Sequence, residues 1–201
     1  MTLEFYYDIV SPNAYLGEMV LRRLEAKHGV TFERMPILLG GLMKSVGSQP
    51  PFMALKETPM RLKHYLYDIG RFADRRDIAY ATNPHFPLLT VGVQRMAIAA
   101  KELDCEADFI AAFYQAMWAQ GLKIDEPQVL ADVMNQAGLP AEALIAKSKE
   151  PTVKKSLLER TQAAQEKGVF GAPTTFVGKE MFFGKDTLDQ VELELKVQGV
   201  I

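Results

Sequence analysis

Cysteine is almost absent from this sequence, which has only Cys105 among its 201 residues. A single cysteine excludes an internal disulfide, a Cys-x-x-Cys pair and a cysteine zinc cluster. The three histidines, His28, His64 and His85, are scattered and lack any metal-binding spacing. We therefore expect no metal ion, and we expect Cys105 to be a small residue at a helix start.

An excess of basic charge and long apolar runs are also missing. The 23 Lys and Arg residues against 25 Asp and Glu give a formal net charge of −2. Without a basic stripe, no nucleic-acid partner is expected. The apolar runs are far shorter than the roughly 18 residues that cross a bilayer, so no membrane partner is expected either. The first residues enter a strand pattern without a preceding basic segment, which predicts a cytoplasmic protein.

The N-terminal third has clear local signals. Leu3–Tyr7 alternate between apolar and polar positions, which predicts a strand. Ser11 and Pro12 are typical of an N-cap and a first helical residue, and Gly29 is typical of a helix end. Val30–Met35 predict a second strand. The chain is therefore expected to open as β-α-β, with the two strands parallel through a right-handed crossover.

The middle of the chain is helical in pattern, after a glycine- and proline-rich approach over residues 40–51. The expected helices of the middle are Leu62–Arg76, Leu88–Leu103, one through Phe109–Met117, one through Val129–Met134 and Pro140–Ser148. The pattern of the last third predicts a helix, a hairpin through Gly178-Lys179 and a final helix over Asp186–Val197. The order predicts an α/β fold: a thioredoxin-like domain over 1–40 and 150–201, interrupted by an all-helical insertion domain over 41–149.

Ser11 is the first candidate for chemistry, because it lies between the first strand and the first helix. Thioredoxin folds carry their redox Cys-x-x-Cys there, whereas this chain has Ser11–Ala14 without sulfur. Disulfide exchange needs a thiolate nucleophile, so that activity is excluded. A hydroxyl at a helix N-terminus can hydrogen-bond a bound thiolate and lower the pKa of its thiol. The alternative is that Ser11 is only an N-cap.

Two later segments could complete such a site. Pro173 enters a predicted strand, where thioredoxin folds have a cis-proline beside an open strand edge that can pair with an extended peptide. The Phe183–Asp186 loop could present backbone N–H groups and a carboxylate to a zwitterionic amino-acid head. The simpler alternatives are a helix-to-strand turn at Pro173 and a helix cap at Asp186.

Together these segments resemble the family of kappa-class glutathione transferases and 2-hydroxychromene-2-carboxylate isomerases. The resemblance runs over nearly the whole chain. It rests on Phe5–Leu16, on Pro36–Gly41 with Gly47 and Pro50-Pro51, on Asn83–Pro87 with Arg95, on Gly168–Thr174 and on Gly178–Asp186. The resemblance implies a homodimer that binds glutathione as an extended peptide. It assigns Ser11 to the sulfur, Ala172 and Pro173 to the cysteinyl unit, Lys185 and Asp186 to the γ-glutamyl head and Lys56 to the glycyl carboxylate.

The activity implied first is glutathione-dependent ring opening and cis–trans isomerisation of 2-hydroxychromene-2-carboxylate in aromatic hydrocarbon catabolism. The alternatives are a kappa-class-like transferase or peroxidase acting on another small electrophile, and a non-catalytic binding module. The candidate substrate residues are Ser48, which replaces a family asparagine, Asn83, His85 and Arg95, whose guanidinium suits an aromatic carboxylate. Turn capping or burial would explain the last three equally well.

Overall fold

The computed structural model describes residues 1–201 and is built on one mixed, four-stranded sheet. Its strands are β1 (Leu3–Tyr7), β2 (Glu33–Pro36), β3 (Thr174–Val177) and β4 (Glu180–Phe183), in the order β2-β1-β3-β4. β1 pairs with β2 in parallel and with β3 antiparallel, and β4 completes the predicted hairpin with β3. This is a thioredoxin-like arrangement, as the sequence predicted.

Helix α1 (Pro12–His28) crosses from β1 to β2 and follows its sequence signals closely. Ser11 has an extended backbone and its side chain accepts a hydrogen bond from the Ala14 N–H. Gly29 closes the helix at φ 69°, a left-handed conformation that glycine adopts without steric cost. The predicted second strand from Val30 is too long, since β1 and β2 pair only from Glu33 onward.

Seven helices fill the region between β2 and residue 150. Five of them match predicted helices within a few residues. The other two, α2 and α3, were missed because their glycines and prolines were interpreted as turns. The bounds are α2 (Leu39–Ser45), α3 (Pro51–Ala54), α4 (Pro59–Asp74), α5 (Val91–Glu102), α6 (Glu106–Trp118), α7 (Pro127–Gln136) and α8 (Ala141–Ser148).

Tertiary contacts explain why α2 forms despite Gly40 and Gly41. The Leu39 N–H donates to Asp8 Oδ2 over 3.0 Å, so a side chain at the end of β1 satisfies an amide in the first turn of α2. Leu42 is buried in the core on the inner face of the helix. Helices of this length depend on packing rather than on intrinsic propensity, and a sequence pattern does not reveal the packing.

The chain ends with α9 (Pro151–Glu166), the β3–β4 hairpin, a 3₁₀ turn at Lys185–Thr187 and α10 (Leu188–Val197). One apolar core of 43 residues joins the sheet to the helical region. Trp118 of α6, for example, donates its indole N–H to the Ile9 carbonyl over 2.8 Å. None of the helices combines the length and apolarity of a membrane crossing. The proposed division into two domains stays a prediction.

Candidate active site

Ser11 joins the start of α1 to the loop before β3. Its Oγ accepts from the Ala14 N–H over 3.1 Å and donates to the Ala172 carbonyl over 3.1 Å. The residue is therefore an N-cap, as the simpler interpretation held, and its hydroxyl also faces the loop that ends in a cis Ala172–Pro173 bond. Sequence order separates these two segments by most of the chain, and the sheet brings them together.

Two backbone amides beside Ser11 have no partner within the chain. The Asn13 N–H lies in the first turn of α1, and the Ala172 N–H precedes the cis-proline. An unpaired amide at a helix start favours an anion. An unpaired amide on a loop leading into a strand can pair with an extended peptide. The sulfur and backbone of a cysteinyl peptide match these two donors.

A cavity of about 580 Å³ opens in front of Ser11 and Ala172. This volume is within the usual range for a small-molecule site. Most of its walls are apolar and come from α2, α3, α4 and the segment before α5. The apolar and aromatic side chains of the lining include Met43, Phe52, Leu62, Tyr65, Ile69, Tyr80, Phe86, Leu88, Leu89, Trp118 and Phe183. The structure thus places the two unpaired amides beside Ser11 at the edge of a largely apolar cavity.

Asp8 lines the same cavity and is almost fully buried. Its Oδ1 accepts from the Val10 N–H at 3.1 Å and the Thr90 hydroxyl at 2.8 Å, and its Oδ2 accepts from the Leu39 N–H at 3.0 Å. Burial raises the pKa of this carboxyl to about 6, although the three donors oppose the rise. Asp8 thereby connects the end of β1 to the starts of α2 and α5.

Tyr65 of α4 is the second polar group of the cavity that the sequence analysis missed. Its hydroxyl oxygen accepts from Asn13 Nδ2 over 2.9 Å. That bond uses the oxygen as an acceptor and leaves the phenolic proton without an acceptor within the chain. Burial also raises the pKa of Tyr65, so the proton is retained at neutral pH.

Lys185 is more deeply placed than a surface lysine, since its side chain is only 4% exposed. Its ammonium contacts Asp68 of α4 at 2.9 Å and Asp186 at 2.8 Å, and lies 4.7 Å from the centre of the Phe72 ring. The Asp186 side chain is 68% exposed, although both of its carboxylate oxygens contact this ammonium. The lysine side chain therefore ties the loop before α10 to α4 and leaves Asp186 accessible.

Lys56 and Ser48 are both exposed and do not line the cavity. Lys56 follows α3 and forms no salt bridge within 4 Å, so its ammonium is available to a ligand. Leu55 lines a smaller adjacent cavity of about 290 Å³, which also contains Arg61, His64, Tyr65 and Asp68.

The three remaining predicted substrate residues are arranged differently from one another. Asn83 lines the cavity, but its amide donates to the carbonyls of Met117 at 3.0 Å and Leu122 at 2.9 Å. Its oxygen accepts from the His85 N–H at 2.8 Å, so the side chain is already bonded to its own loop, to α6 and to the loop that follows α6. His85 is exposed and Arg95 is half-buried in α5, and neither lines the cavity.

The sequence contained a signal for Asp8 that the analysis did not use. A charged residue directly after a strand of buried aromatics is unusual unless it has partners. No comparable signal marked Tyr65 or Thr90, because a tyrosine on an amphipathic helix and a threonine before a helix are common. Phe52 of α3 lines the cavity, whereas its neighbour Met53 is exposed and does not.

Comparisons with known proteins agree with this arrangement. The family model described as a DSBA-like thioredoxin domain matches residues 2–196. Glutathione S-transferase kappa 1 of Caenorhabditis elegans is 31% identical over 198 residues, covering 92% of this chain and 86% of that protein. The 2-hydroxychromene-2-carboxylate isomerase of Sphingobium xenophagum is 27% identical over 191 residues, covering 95% and 96%. A solved structure of a 2-hydroxychromene-2-carboxylate isomerase matches with a TM-score of 0.88 and 25% identity, covering 98% of this chain and 96% of that one.

Proposed function

This chain belongs to the family of DsbA-like thioredoxin domains, in the group that contains the kappa-class glutathione transferases and 2-hydroxychromene-2-carboxylate isomerases, and on that basis we propose that it is an enzyme that activates glutathione at Ser11. The observation that carries the proposal is the convergence of the Ser11 hydroxyl and two unpaired amides at the end of an apolar cavity. Disulfide exchange, which the family name suggests, is excluded because the site contains no cysteine.

The residues present fit a glutathione molecule. The unpaired Ala172 N–H can pair with the cysteinyl backbone, and the accessible Asp186 carboxylate can receive the ammonium of the γ-glutamyl head. Lys185 holds Asp186 in place, and unpaired Lys56 can neutralise the glycyl carboxylate. When bound, glutathione supplies the nucleophilic sulfur.

Ser11 then has a definite task. Its single proton points to the Ala172 carbonyl, and rotation about the Cβ–Oγ bond redirects the proton toward a sulfur held in front of the helix. The Asn13 N–H and the positive end of α1 favour the same negative charge. These three effects lower the pKa of the thiol, so that the reactive form is present at neutral pH.

The apolar cavity is the proposed site of the acceptor. An acceptor packed against these apolar walls would displace water from the region in front of Ser11, which strengthens the hydrogen bonds to the sulfur. The Tyr65 hydroxyl is placed to donate a proton or a hydrogen bond to an oxygen of the acceptor. An uncharged electrophile fits these largely apolar walls, which supports a transferase reaction.

Isomerisation of 2-hydroxychromene-2-carboxylate is the second candidate, in which glutathione is regenerated. It is supported by the close match of the whole chain to a solved isomerase of this kind. The two candidates differ in thiol stoichiometry. We propose to incubate the protein with 2-hydroxychromene-2-carboxylate or 1-chloro-2,4-dinitrobenzene, with and without glutathione, and to follow both ultraviolet absorbance and free thiol.

Conversion of the chromene with constant thiol would establish the isomerase. Loss of thiol equal to product formed from the chlorobenzene would establish the transferase. If glutathione neither raised the melting temperature nor supported either reaction, the proposed function would be wrong. We further propose that the protein acts in the cytoplasm as a homodimer, which light scattering of the purified protein tests for the dimer and cell fractionation tests for the location.

A further inference from the structure

The buried carboxylate of Asp8 joins three separate segments that line the larger cavity, and each segment donates one hydrogen bond to it. The donors are the Val10 N–H beside Ser11, the Leu39 N–H in the first turn of α2 and the Thr90 hydroxyl directly before α5, over 3.1, 3.0 and 2.8 Å. One side chain therefore holds three walls of the cavity together.

Helix α2 depends strongly on the bond from Leu39. Leu38, its N-cap residue, provides no side-chain hydrogen bond to the first turn. Gly40 and Gly41 follow within that turn and lower its intrinsic helix propensity. The Asp8 carboxylate therefore acts as the cap of α2 from a distant part of the chain, and an unpaired N–H in this buried turn would be costly.

A second buried side chain, Gln94 of α5, holds the backbone behind this layer. Its Nε2 donates to the Tyr7 carbonyl at 3.0 Å and the Ile37 carbonyl at 2.9 Å, and its Oε1 accepts from the Ile9 N–H at 3.3 Å. Gln94 does not line the cavity, and an amide does not titrate. The strand ends are thus held at any pH, whereas the layer that faces the cavity is held by a carboxylate that can take up a proton.

Protonation of Asp8 removes one of its three hydrogen bonds. Oδ1 receives two donors and Oδ2 only one, so a proton is best accommodated on Oδ2. An O–H at that atom faces the Leu39 N–H, and two donors cannot bond to each other. The neutral carboxyl therefore keeps Val10 and Thr90 and releases the start of α2.

This protonation occurs in an accessible pH range, because burial raises the pKa of Asp8 to about 6. The neighbouring titratable groups carry no free charge. Burial raises the pKa of the Tyr7 and Tyr114 phenols, which stay neutral, and Glu18 of α1 is paired with Arg34 of β2 at 3.0 Å. The cavity lining contains no lysine, arginine, histidine or second carboxylate. Burial and its three donors therefore set the protonation state of Asp8.

We propose that Asp8 is a positioning residue of the glutathione site: its carboxylate holds α2 against the loop that carries Ser11, and its neutral form releases α2. The proposal rests on the proposed glutathione site and adds a proton-dependent control to it. Because α2 and Ser11 line the same cavity, and α2 leads through α3 to Lys56, this release is expected to weaken glutathione binding below about pH 6.

Asp8→Asn tests the proposal, because asparagine reproduces the shape of the neutral carboxyl. Its Oδ1 can accept from Val10 and Thr90, and its Nδ2 is a donor that then faces the Leu39 N–H. The probe is S-methylglutathione, which has no thiol and whose carboxylates and ammonium keep their charges between about pH 5 and pH 7. Its affinity is measured by calorimetry across this range.

We expect the parent protein to bind this probe about fivefold or more tightly at pH 7 than at pH 5, the scale of a typical coupling between two sites. Asp8→Asn should bind with the low affinity of the parent at pH 5 at both pH values. Thr90→Val removes a donor that favours the charged carboxylate, so the midpoint of the pH dependence should move to higher pH.

Two controls exclude other sources of the effect. Histidine is the other residue type that changes charge in this range. Asp8→Asn retains all three histidines, including His64 in the smaller cavity, so a pH dependence that originates in histidine would persist in the variant. Gln94→Met removes the hydrogen bonds of the deeper layer, and it should lower the free energy of unfolding while keeping the pH dependence of binding.

Hydrogen exchange of the α2 amides gives a readout that needs no ligand. After correction for intrinsic exchange rates, the Leu39 and Leu42 amides of the parent should be less protected at pH 5 than at pH 7. In Asp8→Asn their protection should be low at both pH values. Because the contribution of Asp8 to global stability increases toward pH 5, a loss of protection confined to α2 reports local release and not global unfolding.

Equal affinities at both pH values in the parent would overturn the proposal, and so would the same pH dependence in Asp8→Asn. If Asp8→Asn did not fold, the parent series and the shifted midpoint of Thr90→Val would decide the question. An α2 whose exchange is independent of pH would overturn the role of Asp8 alone. Failure of the parent to bind glutathione or its S-methyl form at any pH would overturn the proposed function together with this role.

Discussion

The ammonium of Lys185 lies 2.9 Å from Asp68 Oδ2, which joins the loop before α10 to the middle of α4. The same ammonium holds Asp186, the residue proposed for the γ-glutamyl head. The contact thus links the sheet side of the proposed glutathione site to α4, a helix that also forms a wall of the larger cavity. Its donation lowers the pKa of Asp68.

The first prediction concerns this contact. Lys185→Met should lower the free energy of unfolding by about 1–3 kcal/mol, because a buried charged hydrogen bond to two carboxylates is lost. It should also raise the KM for glutathione more than the KM for the acceptor, since Asp186 is no longer held. Chemical denaturation and steady-state kinetics measure the two effects.

The matched control is Lys101→Met, which removes an exposed ion pair with Glu33 far from the cavity. Its effect on the free energy of unfolding should stay below about 1 kcal/mol. Equal KM values for glutathione in the parent and Lys185→Met would contradict the proposed role of this loop.

The second prediction concerns Ser11. Ser11→Ala removes both the proposed donor to sulfur and the N-cap acceptor for the Ala14 N–H. We expect a loss of about 10²–10³ in kcat/KM if this donor acts as strongly as an oxyanion-hole donor. The lost cap should lower the free energy of unfolding by about 1 kcal/mol.

Ser11→Thr is the conservative control, because it keeps both the hydroxyl donor and the capping oxygen, and it should retain most of the turnover and of the stability. An ultraviolet titration of the thiolate in the complex with glutathione should give a higher thiol pKa in Ser11→Ala than in the parent. Unchanged thiol pKa and turnover in Ser11→Ala would mean that Ser11 is only a helix cap.

The third prediction is a pH dependence of stability that originates in Asp8. Its pKa rises from 3.8 to about 6 in the folded protein, so between these values the folded state binds more protons than the unfolded state. Stability from this group therefore decreases as the pH rises through that window, by about 3 kcal/mol in total.

The comparison of parent and Asp8→Asn isolates this effect, since asparagine does not titrate. The difference between their free energies of unfolding should change across the window from pH 3.8 to about 6 and be constant above it. Denaturant unfolding at a series of pH values measures the difference. A difference that is independent of pH would show that Asp8 has an ordinary pKa.

The fourth prediction concerns Tyr65. Tyr65→Phe keeps the ring in the cavity wall and removes the phenolic proton. For acceptors whose reaction places negative charge on an oxygen, kcat should decrease by about 10²-fold if the proton is donated in the transition state. The KM for glutathione should change little.

Tyr67→Phe is the control on the same helix, because the Tyr67 side chain is exposed and does not line the cavity. Single-turnover measurements on both variants separate the rate of the chemical step from the binding of the acceptor. Identical rates for Tyr65→Phe and Tyr67→Phe would remove Tyr65 from the mechanism.

The sequence alone determined the β-α-β opening, the C-terminal hairpin and the position of Ser11. Those features depend on local signals such as alternation, the Ser11-Pro12 start and the Gly29 stop, which act within a few residues. The resemblance to a known family added the proposal of a glutathione site. The cis bond before Pro173 agrees with the expectation from thioredoxin folds.

Only the tertiary structure determines which side chains line the cavity proposed for the acceptor. Asn83, His85 and Arg95 have side chains suited to a carboxylate, but their contacts and exposure depend on how loops and helices pack. Packing turns the amide of Asn83 to two carbonyls, leaves His85 outside and places Asp8 inside. These orientations come from contacts between segments that are distant in the chain, and such contacts leave no periodic pattern in the sequence.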